Sequence, residues 1–200
     1  MDHFHLGHID ESFHVSHNFL YNFRVVALVW FTSEFTSLIY MHGVKFFSDF
    51  AFFTIWTLAT TWFYFLCQVI LRPRTARVHG FLLGLSHLIW SAEILVSIFF
   101  WLALFPTLKK GEGFTYTKWI MYSFHSFPLI FLSIDGMLHK GTFQKWHIYQ
   151  PIVYTVLYGG LNIVLGLVFH HVVYPPMNYE CKLFSADSPR PLCLKPFGFP

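Results

Sequence analysis

Carboxylates and a histidine interrupt the long apolar stretches of this 200-residue sequence, at Glu34, Glu93, His125 and Asp135. A charged side chain at the centre of a bilayer costs at least about 2.5 kcal/mol, so each group needs a partner, a polar cavity or a neutralising proton. An imidazole can exchange a proton near neutral pH, which makes His125 the best suited of the four to acid–base chemistry.

The composition predicts that the helices that position these groups lie in a membrane. Hydrophobic residues make up 55% of the chain and Asp, Glu, Lys and Arg only 12%, whereas about a quarter of an ordinary soluble domain is charged. We expect an all-α, polytopic transmembrane helical bundle of about five spans, with six as the alternative. The net charge of +3 is small, and we predict no nucleic-acid partner.

Apolar windows bounded by charged residues divide the chain into three parts. Residues 1–23 are a His-rich polar N-terminal segment, residues 24–174 a transmembrane helical domain, and residues 175–200 a Pro-rich polar tail. The histidines of the first segment lack a recognised ligand spacing, so we predict no metal site and no cofactor. The predicted spans are about 24–43, 50–71, 81–105, 119–138 and 150–173.

The alternating direction of successive spans brings residues that are distant in sequence to the same depth. Spans two and four run in the same direction, so Thr54 and His125, each a turn or two past a helix start, should lie at one depth and could face each other. Span five ends in the same layer and brings His170 there. Asp135 lies about 15 Å beyond His125 along the helix axis, so these two side chains cannot pair on a straight helix.

The purely structural interpretation of each buried polar group is an interhelical hydrogen bond, worth about 0.6 kcal/mol on average in polytopic proteins. We favour it for Glu34, Glu93 and Asp135 taken singly. For His125 we favour a functional layer, because several hydrogen-bonding groups converge at its depth. A haem held between His125 and His170 is a minor hypothesis, since a two-haem bundle needs facing histidines at two depths.

Four short motifs together resemble one family of membrane proteins. They are "FFTIWTL" from Phe52, "SIFFW" from Ser97, "HSFPLIFLSID" from His125, and "HIYQPIVYTVLYGG" followed by "VVYPP" in the last span. In these motifs the sequence is similar to the androgen-induced and androgen-dependent membrane protein family and to the related rolling stone proteins. The resemblance covers residues from about 45 to 177.

Some members of that family are intramembrane threonine hydrolases that cleave fatty acid esters of hydroxy fatty acids. The resemblance implies that Thr54 is the nucleophile and His125 the base, and that Asp135 is the acid that follows the histidine in the family pattern. A threonine hydroxyl needs such a base within about 2.6–3.2 Å. Ser48 is the alternative nucleophile, and three residues are supporting candidates by approximate depth: Asp49, Asn162 and His170.

A non-catalytic role is the second hypothesis. Rolling stone proteins share the histidine and the acid but act in cell fusion without an assigned hydrolase role, so the pair does not by itself define an enzyme. The alternative function is a structural or accessory subunit of a larger membrane complex, for instance a mitochondrial respiratory assembly. The expected partners are accordingly membrane lipids or other membrane-protein subunits. The expected location is the endoplasmic reticulum or plasma membrane for a hydrolase, and the mitochondrial inner membrane for such a subunit.

Overall fold

A computed structural model describes residues 15–43, 52–71, 75–105, 116–139 and 149–168. These residues form an all-α structure, which confirms the predicted fold class. A π-helical segment, Phe100–Leu104, continues the third helix. The helices are α1 (His17–His42), α2 (Phe53–Leu71), α3 (Ala76–Phe99), α4 (Tyr116–Leu138) and α5 (Tyr149–Val168).

Three of the helical stretches in the described residues are long and apolar enough to cross a membrane: His17–His42, Phe53–Leu71 and Arg77–Leu102. A run of about 20 apolar residues matches the thickness of a bilayer core, so these stretches support the prediction of an integral membrane protein. That α4 and α5 also cross the membrane stays a prediction.

Two helices begin earlier than the sequence analysis predicted, because a side chain caps each of them. The Ser16 hydroxyl accepts a hydrogen bond from the backbone N–H of Phe19 at 3.3 Å, and α1 therefore starts at His17 and not near residue 24. The Thr75 hydroxyl caps α3 in the same way, so this helix starts at Ala76 and not near residue 81. The predicted span limits, near residues 24 and 81, were placed beside arginines, whereas the two helices extend beyond those arginines; where the membrane begins along them stays a prediction.

The first four helices pack against one another around an apolar core. Helix α1 contacts α2 and α4, α3 contacts the same two helices, and α2 and α4 also meet. The rings of Phe31 and Phe65 stack with centroids 5.6 Å apart, and both side chains are fully buried. This packing fixes the rotation of each helix about its axis, and with it the direction in which each polar residue points.

The chain divides within α5 into two compact units, Met1–Thr155 and Val156–Pro200. The polar contacts described below belong to the first unit unless stated otherwise.

Two irregularities of helix geometry lie near these polar contacts. Pro128 stands inside α4, where it cannot donate a backbone hydrogen bond, and the π-helical segment begins at Phe100. Insertions of π-helix are frequent at functional sites.

Candidate functional site

The structure brings Thr54 and His125 together. Thr54 lies in the first turn of α2 and His125 in α4, and the Thr54 Oγ1 atom is 3.2 Å from His125 Nε2. Both side chains are partly buried. This is the contact that the depths of the two residues predicted, although their catalytic roles stay a prediction.

The second ring nitrogen of His125 defines the direction of this hydrogen bond. His125 Nδ1 is 2.6 Å from the backbone carbonyl oxygen of Met121, one helical turn earlier in α4. A carbonyl oxygen can only accept, so Nδ1 carries the proton. In the neutral imidazole Nε2 is then the bare nitrogen, and the Thr54 hydroxyl donates to it. This is the tautomer that a general base requires.

The residues around the imidazole hold it in place. The Phe100 ring stacks on His125 with a centroid separation of 3.9 Å and an angle of 14° between the planes. The Ser97 hydroxyl donates to the backbone carbonyl of His125 at 2.7 Å. On the opposite side of the ring from Thr54, the Met121 carbonyl restrains the imidazole through Nδ1.

A second group of polar side chains lies near the middle of the bundle, and we name it the glutamate layer. Glu34 accepts hydrogen bonds from the Ser123 hydroxyl and, at 2.9 Å, from the Trp30 indole. Glu93, which is fully buried, accepts from the Thr61 hydroxyl at 3.1 Å. The glutamate layer consists of Glu34, Thr57, Thr61, Glu93 and Ser123.

A third group surrounds Asp135, which is almost completely buried. Its Oδ1 atom accepts from Arg24 Nε at 2.8 Å and its Oδ2 atom from the Tyr64 hydroxyl at 2.6 Å. The Tyr64 oxygen in turn accepts from the Gln68 amide at 3.0 Å. Asp135 therefore joins α1, α2 and α4. The interhelical hydrogen bonds predicted for Glu34, Glu93 and Asp135 are present.

His139 lies one residue beyond the predicted fourth span and faces the same carboxylate. Its Nε2 atom is 4.0 Å from Asp135 Oδ2. Burial lowers the pKa of His139 below its ordinary value of 6.5, and the Arg24 guanidinium acts in the same direction, while the Asp135 carboxylate opposes both.

Four further residues were predicted to belong to the site, and each lies either outside the described residues or in the second unit. Ser48, Asp49 and His170 lie outside the described residues. Asn162 belongs to the second unit, where its side-chain amide donates to the backbone carbonyl of Tyr158 at 3.0 Å. Within the described part of the chain, no group of three or more His, Cys, Asp or Glu side chains could hold a metal ion.

Three contributors to these sites were missed by sequence reasoning. Arg24 was taken as the edge of a span, although it lies at the same end of the bundle as Asp135, and this shared depth was the available signal. Phe100 was read only as part of an aromatic run. The Met121 carbonyl has no signature in the sequence, since any residue at that position would present the same backbone atom.

Together, the helices and the Thr–His contact define the class: an α-helical membrane protein with a hydroxyl–imidazole pair between two packed helices. Comparison of the chain with protein-family models, curated proteins and solved structures finds no match. The function must therefore be argued from the geometry of the site.

Proposed function

We propose that this protein is an intramembrane lipid-ester hydrolase in which Thr54 is the nucleophile and His125 the general base. The observation that carries the proposal is the 3.2 Å contact between Thr54 Oγ1 and a His125 Nε2 left bare by the Met121 carbonyl. The resemblance stated above supplies the substrate class, fatty acid esters of hydroxy fatty acids.

The reaction follows from this hydrogen bond. His125 Nε2 takes the hydroxyl proton as Thr54 Oγ1 attacks the ester carbonyl carbon, and the same proton then goes to the departing alkoxide, which leaves as the alcohol. Water hydrolyses the resulting acyl-threonine with His125 again as base, which releases the carboxylic acid and restores the hydroxyl. The Met121 carbonyl holds the Nδ1 proton throughout, and the stacked Phe100 ring restrains the imidazole.

The surroundings of the pair suit a substrate that arrives from the bilayer. Apolar side chains near the same end of the bundle are exposed, including Phe52 just before α2 and the π-helical residues Trp101 and Leu102, the last with 76% of its surface accessible. Phe100, their neighbour in the chain, contacts the imidazole itself. Acyl chains lying against these side chains would keep their ester group near the depth of Thr54.

The experiment is covalent labelling of the detergent-solubilised, full-length protein with a fluorophosphonate probe, followed by mapping of the labelled peptide. Thr54→Ala and His125→Ala are expected to lose labelling, while Thr54→Ser keeps a hydroxyl and retains it. Thr36→Ala is the matched control, because Thr36 is exposed and its hydroxyl donates only to its own helix. Loss of labelling in Ser48→Ala, with Thr54→Ala still labelled, would move the nucleophile to Ser48.

A non-catalytic subunit of a larger membrane complex is the second candidate. The observation that favours it is the close stacking of Phe100 on His125, which fills one face of the imidazole with protein. A folded wild-type protein that takes no label, and that co-purifies in a stable complex from its native membrane, would support this candidate and contradict the hydrolase. The membrane in which the native protein is found would also distinguish the two candidates. Endoplasmic reticulum or plasma membrane is expected for the hydrolase, and the mitochondrial inner membrane for a respiratory subunit.

A further inference from the structure

The glutamate layer leaves two buried oxygen atoms without a hydrogen-bond donor. Glu34 Oε2 and Glu93 Oε2 each have no hydrogen-bond partner, although the Oε1 atom of each side chain is bonded. Only 6% of Glu34 and none of Glu93 is accessible. An ionised carboxylate can accept about four hydrogen bonds, and a buried one without enough donors is costly.

The two carboxyl groups are also close enough to interact electrostatically. They lie in the second halves of α1 and α3, and the hydroxyl groups that contact them lie in the first halves of α2 and α4. The described side chains that donate to the two carboxyl groups are neutral: two hydroxyls and one indole. Two negative charges held by neutral donors in a medium of low dielectric constant repel each other, and one proton between them removes that repulsion.

The hydrogen-bond donors indicate which carboxyl group carries the proton. Glu34 accepts from a hydroxyl and an indole, whereas Glu93, which has no accessible surface, accepts from the Thr61 hydroxyl. The Thr57 hydroxyl donates its one proton to the backbone carbonyl of Thr54 at 3.0 Å and so adds no donor to Glu93. The carboxyl group with fewer donors and no contact with solvent gains more from a proton.

We propose that the glutamate layer is a proton-binding site inside the bundle, in which Glu93 carries the proton at neutral pH. Among the described residues of the first unit, the other titratable groups that interact electrostatically with Glu93 are Glu34 from α1 and Tyr154 from α5. A proton is favoured over a metal ion because the described residues provide no cluster of three metal-ligating side chains. The site does not depend on the proposed hydrolase activity.

Infrared spectroscopy of the full-length protein in detergent tests this proposal, because a protonated carboxyl group absorbs apart from ionised carboxylates. Wild-type protein at pH 7 is expected to show a carboxylic acid band, which shifts in heavy water and fades reversibly as the pH is raised. The band is expected to be lost in Glu93→Gln and kept in Thr36→Ala, a control at an exposed position that removes no carboxyl group.

Three outcomes would overturn the proposal. Absence of the band from folded wild-type protein at pH 7 would mean that both glutamates are ionised, and this measurement needs no variant. A band that appears only after sodium and potassium ions are removed would identify the occupant as a metal cation. A band lost in Glu34→Gln but kept in Glu93→Gln would place the proton on Glu34. Labelling of Thr54 by fluorophosphonate is a separate measurement, so the two proposals can fail independently.

Discussion

Arg24 and Asp135 form a buried ion pair across 111 positions of the sequence, with Arg24 Nε 2.8 Å from Asp135 Oδ1. The accessible surface of these residues is 4% and 1%. Two opposite charges in contact can remain buried, whereas either charge left alone cannot. The pair therefore fixes α1 against α4 at one end of the bundle.

Removing one partner of this pair should strongly destabilise the bundle. We expect Arg24→Met or Asp135→Leu to lower the free energy of unfolding by about 3–5 kcal/mol, because each leaves an uncompensated charge. The double variant should lose less than the sum of the two single losses, since no charge is then left alone. Reversible unfolding in detergent micelles measures these values. Arg77→Met, the same substitution at an exposed arginine, serves as the control, with an expected change within about 0.5 kcal/mol.

The tautomer of His125 can be observed directly. We expect ¹⁵N NMR of histidine-labelled protein to show a neutral ring with the proton on Nδ1, because the Met121 carbonyl can only accept. His125→Gln identifies the resonance among the 13 histidines of the chain. Thr54→Val should leave the tautomer unchanged, because the Met121 carbonyl remains. A proton on Nε2 in the wild type would contradict the proposed role of His125 as the base.

Stability should fall as the pH is lowered through the range in which histidine titrates. Burial lowers the pKa of His139 in the folded protein, so the unfolded chain takes up a proton at a higher pH than the folded one. The contribution of neutral His139 to the free energy of unfolding is therefore complete above the ordinary histidine pKa of 6.5 and decreases as the pH falls below that value. His139→Gln should flatten this dependence in chemical unfolding. The measurement runs from about pH 7.5 to about pH 5, which extends about one unit or more to either side of the ordinary histidine pKa. If the free energy of unfolding of His139→Gln depends on pH as steeply as that of the wild type, another group causes the dependence.

Two glycines of α3 provide a matched test of packing. A Cβ atom at Gly80 would meet nothing within 4 Å, so Gly80→Ala should stabilise the helix by about 0.5–1 kcal/mol. A Cβ atom at Gly84 would lie 2.8 Å from the Gln150 amide nitrogen, and the end of that side chain would have to move. Gly84→Ala should therefore gain less than Gly80→Ala in thermal unfolding. A gain equal to that of Gly80→Ala would show that Gln150 moves without cost.

The shared depth of Thr54 and His125 was predictable from the sequence, and the packing of α2 against α4 then turns the two side chains toward each other. Helices that alternate in direction and rise about 1.5 Å per residue assign each residue a level in the bundle, whatever the details of packing. Asp135 was separated from His125 by the same reasoning, and the structure places it with Arg24 and Tyr64.

Other features could not be read from the sequence, because they depend on helix rotation or on local capping. Phe100 reaches His125 through the rotation of its π-helical segment, which the surrounding packing determines. The start of α1 depends on one hydroxyl, that of Ser16, in a segment rich in polar residues. The partner of Arg24 was missed because Lys and Arg are concentrated in the loops beside membrane spans, so Arg24 was taken as the edge of a span.

The buried Arg24–Asp135 pair also sets an order for biosynthesis. A ribosome makes α1 before α4, so for most of translation the guanidinium of Arg24 has no carboxylate to meet. An unpaired charge is costly to bury, so the packing of α1 that buries Arg24 waits until Asp135 has been made. A chain interrupted before residue 135 would therefore be left with an unpaired arginine on α1.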